Sequence, residues 1–242
     1  MAQWIEGTAQ SGKTSRLVAQ FQEWTADFAQ ARDPQVASQS VLVLAMDSTQ
    51  RRRLGDRLSR VTEGKFPVTA ATPLSFIRQQ VRLYWALIVR SLNLKAQFPI
   101  TLRVENEQAL ALRELAIAPM VLGSDHAPGR AVRQVLDLFL MAALQGQSMA
   151  TLAEALDLGL GLTHGAELLA QLDHWRNFCL QRGLLTYGIE ADIFARVLLP
   201  DLFFRIRCVG NIAIYWPMMW MNFRPFWRIF ADCCWRLGSR PC

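Results

Sequence analysis

Leu17, Val18, Phe21, Trp24 and Phe28 recur at spacings of three and four, which predicts an amphipathic helix from about Lys13 through Gln30. Just before it, the short apolar stretch AQWIE (Ala2–Glu6) reads as a strand. VLVLA (Val41–Ala45) is a continuous apolar run bounded by polar residues, the pattern of a strand buried on both faces of a parallel sheet. DSTQRRRLGDRLSRV follows as a helix, with Asp47 or Ser48 as its N-cap. FPVTAAT (Phe66–Thr72) reads as a third, shorter strand, and Pro73 opens a helix, PLSFIRQQVRLYWALIVRSL, where proline suits the first turn. Strand alternating with helix implies an α/β fold: a parallel sheet with helices on its faces.

From Ile100 to Leu199 the period is almost wholly helical. Four segments carry it, at Thr101–Ala118, Arg130–Gln145, Ser148–Leu160 and His164–Leu184. Gly123, Pro128 and Gly129 mark a loop between the first two, and Ser148 and Thr163 read as helix starts. GLLTYGIEADIFARVLLP (Gly183–Pro200) closes the region, with Pro200 as the stop. The expected organisation is therefore an α/β core over residues 1–99, a helical insertion over 100–200, and an irregular hydrophobic tail over 201–242.

The chemistry concentrates in GTAQSGKT, residues 7–14, which has the spacing G-x-x-x-x-G-K-[ST] of a phosphate-cradling loop. Gly7 and Gly12 let the backbone curl so that successive N–H groups converge on one anion. A helix starting near Lys13 adds its positive end. Lys13 is placed to reach the β- and γ-phosphates, and Thr14 to present its hydroxyl to Mg²⁺. Strand, loop and helix follow in the required order, so Gly7, Thr8, Ala9, Gln10, Ser11, Gly12, Lys13, Thr14 and Ser15 are the expected ATP-binding residues and Thr14 the Mg²⁺ ligand. The expected fold class is a P-loop NTPase.

The net charge of +6 suggests a polyanion partner until its location is read. Six arginines from Arg205 onward face a single acid, Asp232, so the tail carries five of the six net charges and the body is close to neutral. Cys208, Cys233, Cys234 and Cys242 also crowd the tail, while Cys179 stands alone in the body. Adjacent cysteines lack zinc-site spacing, and His126, His164 and His174 have no metal spacing either. His164 and His174 read as surface residues of one helix. No apolar leader precedes the phosphate loop, which gives a cytoplasmic protein as the expectation.

Trp216, Trp220, Trp227 and Trp235 are half of the chain's eight tryptophans, and three methionines join them. Three readings of this tail stand side by side: an interfacial membrane anchor, a hydrophobic partner-binding segment, and an out-of-frame translation beginning near Pro200 to Arg207. The uncharged run Cys208–Phe223 is shorter than the roughly 20 residues a membrane span needs and is interrupted by Pro217. The frameshift reading accounts for composition and missing acids together and is preferred.

In order along the chain, the motifs resemble the N-terminal part, domains 1A and 1B, of superfamily 1 DNA helicases of the UvrD/Rep type. GTAQSGKT is similar to that family's G-x-A-G-S-G-K-T, with Gln10 in place of a glycine. LAMDSTQRRRLGDRL (Leu44–Leu58) resembles motif Ia: Leu44, Arg57 and Leu58 agree, while Asp47 and Ser48 stand where the family has Thr and Asn. TPLSF (Thr72–Phe76) is similar to motif Ib, and Gly183–Pro200 to the stretch closing the 1B insertion, with Thr186 for Asp. The resemblance covers residues 3 to 200. It implies a RecA-like sheet and a single-stranded DNA surface made by Ser48, Thr49, Thr72 and Ser75. Phe76 is expected in the core. The start directly on the first strand is more like the AddB-type subunits of helicase–nuclease complexes.

The family's D-E-x-x-D segment, in which an Asp holds Mg²⁺ and a Glu activates water, has no counterpart: after Asp192 only Asp201 and Asp232 remain, and no Glu. No catalytic residue is assigned. The expected function is that of an ATP-binding fragment of an ATP-dependent DNA helicase or translocase, inactive alone for unwinding. The alternatives are a non-catalytic ATP-binding subunit of a helicase–nuclease complex and an unrelated P-loop kinase. Expected partners are ATP, single-stranded DNA and a helicase–nuclease subunit; a membrane is not expected.

Overall fold

The computed structural model describes residues 11–28, 41–45, 47–115, 128–148, 151, 165–205 and 213–215. The chain divides into two compact units, residues 1–76 with 201–242, and residues 77–200. It is an α/β protein with parallel strands, and among the described residues no helix is long and apolar enough to cross a membrane. The expected boundary at residue 99 falls inside the second unit.

The first unit is built on helix α1 (Lys13–Phe28), strand β1 (Val41–Leu44), helix α2 (Ser48–Val61) and strand β2 (Thr69–Ala71). β1 and β2 pair in parallel, Leu44 opposite Ala71. Leu42, Val43, Leu44 and Ala45 are all buried, as the unbroken apolar run requires. The core joins Leu17, Val18 and Phe21 of α1 to Val43, to Leu54 and Leu58 of α2, and to Phe66. Phe21 and Phe66 meet edge to face, 5.7 Å between centroids. β2 is shorter than the predicted Phe66–Thr72. Pro67 has no N–H to give a ladder, and Phe66 is committed to the core.

Two expectations need correction. The tail is not wholly irregular: Ala213–Tyr215 forms strand β5, parallel to β1 on the side opposite β2, with Val43 against Tyr215. The apolar edge of β1 needs a hydrogen-bonding neighbour, and an apolar β-prone triplet supplies it. The helix predicted from Pro73 to Leu92 is two helices, α3 (Pro73–Leu83) and α4 (Trp85–Leu92), joined at Tyr84, whose φ of −100° and ψ of 20° leave the helical region. The predicted strand at Ala2–Glu6 and the helix at Ser148–Leu160 lie outside the described residues, apart from Ser148 and Thr151. There the Ser148 hydroxyl accepts the Thr151 N–H at 3.0 Å, the bond a helix start would make.

The second unit contains α4, α5 (Val104–Glu114), α6 (Pro128–Leu144), α7 (Gly165–Arg182) and α8 (Tyr187–Ile193), the last continuing into a π-helical turn at Phe194–Leu198. The Leu199 N–H closes that turn on the Phe194 carbonyl at 2.9 Å, and Pro200 ends it. Pro128 and Gly129 are the first turn of α6 rather than a loop, proline at a helix start having no N–H to lose. The region is not wholly helical either. Ile100–Thr101 (β3) and Leu184–Leu185 (β4) form a two-residue parallel ladder. Two residues show no period, so the sequence carries no signal for them. Gly183 makes the ladder possible: its φ is +67°, and a Cβ there would stand 2.7 Å from the Phe98 carbonyl oxygen.

Helix α8 is buried from Gly188 through Ile193, so its two acids have to find cations inside the protein. Glu190 accepts from Arg78 Nε at 3.0 Å, and Arg78 also lies over the Tyr187 ring, 4.5 Å from its centroid. Asp192 accepts from Arg176 Nε at 2.6 Å, with Arg196 Nε 2.9 Å from its other oxygen. Thr186 caps α8, its hydroxyl accepting the Ile189 N–H at 3.4 Å, beside the buried carboxyl of Glu107, with which it also bonds. An Asp at 186 would cap equally well but would place another carboxylate in this buried acidic neighbourhood.

Burial holds the carboxyls of Glu107 and Glu190 above their ordinary range; the Thr186 hydroxyl and Arg133 pull Glu107 back, as Arg78 does Glu190. A raised folded-state pKa contributes stability that is present below the ordinary value of 4.5 and is lost as pH rises through the folded value. These two groups are therefore expected to make the helical unit more resistant to urea as pH falls from neutral toward about 5. Glu107→Gln is expected to flatten that slope. Parallel urea midpoints for parent and variant at pH 7 and pH 5 check it, and identical slopes would remove Glu107 from the account.

Candidate nucleotide site

Gly12 stands at φ +79°, a left-handed conformation that glycine adopts at least cost, and its carbonyl accepts the Arg16 N–H at 3.0 Å. It is therefore the residue from which α1 springs, with Lys13, Thr14 and Ser15 in the first turn. Helix geometry gives the amides of Thr14 and Ser15 no acceptor within α1, which turns them toward whatever lies at the helix start. The first turn carries no acid, although acids are the side chains a helix N-terminus favours. It carries Lys13 and the exposed Arg16 instead.

Lys13 is half-buried, and its Nζ lies 3.4 Å from the Ser11 hydroxyl, folded back along the loop. Thr14 and Ser15 are exposed, leaving the Thr14 hydroxyl accessible to a cation. Gly7, Thr8, Ala9 and Gln10 lie outside the described residues. The donor set from Ser11 to Ser15 fits a phosphate: a left-handed turn, a cation and the exposed Thr14 hydroxyl, with no competing carboxylate in the turn. It fits Mg²⁺ in the same way, since such a site takes one protein hydroxyl and relies on phosphate oxygens for the rest. Among the described residues no cluster of three His, Cys, Asp or Glu side chains is arranged to hold a metal unaided.

The parallel pairing brings the carboxyl ends of β1 and β2 together, and with them the two expected DNA-contacting turns. Ser48 and Thr49 open α2 and are exposed. Asp47 is the N-cap, its Oδ1 accepting the N–H groups of Thr49 and Gln50 at 2.8 Å each. That role accounts for an acid at this position and is worth about 1 kcal/mol. Thr72 and Ser75 form a reciprocal cap on α3. The Ser75 hydroxyl accepts the Thr72 N–H at 2.8 Å, and the Thr72 hydroxyl accepts the Ser75 N–H at 3.2 Å. Their hydroxyls are thus engaged with one another, whereas Ser48 and Thr49 lie exposed in the first turn of α2. Phe76 is in the core, 3% exposed.

Three described acids of the first unit have structural duties. Asp47 caps α2, Asp201 caps a short helical turn, α9 (Leu202–Phe204), by accepting the Phe204 N–H at 2.8 Å, and Glu63 pairs with Lys65. Glu190 lies in the helical unit, bonded to Arg78. Cys179 is buried, and burial pushes its thiol well up, so it stays protonated and unreactive. His174 is exposed on α7, as its pattern predicts; His164 lies outside the described residues.

One contact went unread in the sequence. Arg57, on α2, donates to the Ser15 hydroxyl at 3.0 Å, across 42 residues of chain. Its i−3 and i+1 neighbours Leu54 and Leu58 in the α1-facing core were the available signal. No protein-family model and no curated protein matches this chain.

Proposed function

We propose that the first unit binds ATP with Mg²⁺ at Gly7–Ser15 in a P-loop, RecA-like fold, and that the chain is the ATP-binding part of a cytoplasmic ATP-dependent DNA helicase or translocase of the UvrD/Rep type. The observation that carries the reading is the first turn of α1: a left-handed Gly12, then Lys13 and Thr14, with no acid where a helix start favours one. Lys13 would hold the β- and γ-phosphates and Thr14 the metal, which supplies charge neutralisation at the phosphates. Ser48, Thr49, Thr72 and Ser75 would face single-stranded DNA at the carboxyl ends of the strands.

Lys13→Ala is expected to weaken binding of a fluorescent ATP analogue by about 10- to 150-fold, the loss of a charge-assisted phosphate contact of about 1.5–3 kcal/mol. Unchanged affinity would sink the reading. A second reading, a non-catalytic ATP-binding subunit of a helicase–nuclease complex, is favoured by the capping duties of Asp47 and Asp201, which leave neither poised as a catalytic base. The same preparation separates the two: DNA-stimulated turnover of about one per second or more, in the usual enzyme range, supports the first reading. Binding without turnover supports the second.

A further inference from the structure

We propose that Arg57 is a second phosphate ligand of the nucleotide site, which leaves Ser15 for the bound nucleotide; this rests on the ATP-binding reading above. Arg57 lies on the edge of α2 that packs against α1, its backbone held by Leu54 and Leu58 in the shared core. Its guanidinium reaches the first turn of α1, where it donates to the hydroxyl of Ser15, next to Thr14 and two residues from Lys13. The side chain is exposed, and one bond to a hydroxyl leaves most of its five N–H donors for other acceptors.

The contrast with the arginines of the helical unit is informative. Arg78, Arg133, Arg176 and Arg196 each pair with a carboxylate. Among the described residues Arg57 has only an uncharged partner, and it adds a cation to a helix start that already carries Lys13 and Arg16. Cations gathered at the positive end of a helix are unfavourable alone and become favourable around an anion. A phosphate oxygen outcompetes a serine hydroxyl for guanidinium, since an ionised acceptor makes roughly twice as strong a bond as a neutral one. α2 thereby acquires a direct hold on the nucleotide held by α1.

The test measures binding of a fluorescent N-methylanthraniloyl ATP to the full chain and to Lys13→Ala, Arg57→Ala, Arg57→Gln and Arg52→Ala, each checked for folding by circular dichroism. Arg57→Ala and Arg57→Gln are expected to weaken binding about tenfold, a charge-assisted bond being lost. Arg52→Ala, which removes the same charge from an exposed position elsewhere on α2, is expected to stay within about twofold of the parent. Parent affinity in the folded Arg57 variants overturns the proposal. So does an Arg52→Ala loss equal to that of Arg57→Ala, which would make the effect one of net charge on α2 and not of a phosphate contact. Should Arg57→Ala fail to fold, Arg57→Gln decides alone. A parent that binds and a Lys13→Ala that does not, beside unaffected Arg57 variants, defeats this proposal only. A parent that binds nothing defeats the ATP reading with it.

Discussion

Asp192→Ala is expected to destabilise the helical unit by about 3 kcal/mol, the lower end of what removing one partner of a buried ion pair does. Asp192 is 0% exposed and lies between Arg176 and Arg196, on a helix whose every described neighbour from Gly188 to Ile193 is buried. Truncation leaves the Arg176 guanidinium, only 17% exposed, without its anion, whereas Arg196, at 36%, recovers water. That partial access sets the loss at the low end. Asp192→Asn keeps the shape and one acceptor and is expected to lose less than half as much. Urea unfolding of each variant, with hydrogen exchange followed on peptides covering 187–198, checks both values. An unchanged midpoint for Asp192→Ala would mean that the pair contributes nothing net and that burial of the carboxylate had cancelled it.

Phe21→Ala is expected to cost the first unit about 3–5 kcal/mol, the usual penalty for emptying a large aromatic site. Phe21 is fully buried against Phe66, in the cluster that joins α1 to β1 and α2. That cluster positions both Lys13 and Arg57, so the variant should show a lowered melting temperature of the first unit. At temperatures where it remains folded, its nucleotide affinity should match the parent. Phe21→Leu should lose only a fraction as much. A variant with parental melting but weakened binding would show that Phe21 acts on the loop directly and not through the core.

The same distinction separates what was legible in the sequence from what was not. The period of Leu17, Val18 and Phe21, the apolar run Val41–Ala45 and the Asp47 cap are local signals, and α1, β1 and α2 appear where those signals put them. The phosphate-loop motif is local as well: the turn conformation of Gly12 and the position of Lys13 at the start of α1 follow from residues adjacent in the chain. The expected DNA turns needed one inference beyond the local, that β1 and β2 are parallel neighbours, and strand–helix alternation was enough to supply it.

Other features were decided by the tertiary structure. β5 exists because the edge of β1 accepts a partner from residues 213–215, and nothing within those three residues distinguishes them from the apolar tail around them. β3 and β4 are too short to show a period, and their pairing depends on Gly183 letting two backbones approach. The break at Tyr84 interrupts a helical pattern that continues through it. Arg78, Arg133 and Arg176 read as surface cations in a sequence. They are instead partners of buried acids elsewhere in the chain: Arg78 and Arg176 meet the carboxylates of the buried α8 from other helices, and Arg133 meets Glu107 of α5. Arg57 belongs to the same class: its spacing put it on α2, but only the packing of α2 against α1 put its guanidinium on Ser15, beside Lys13 and Thr14.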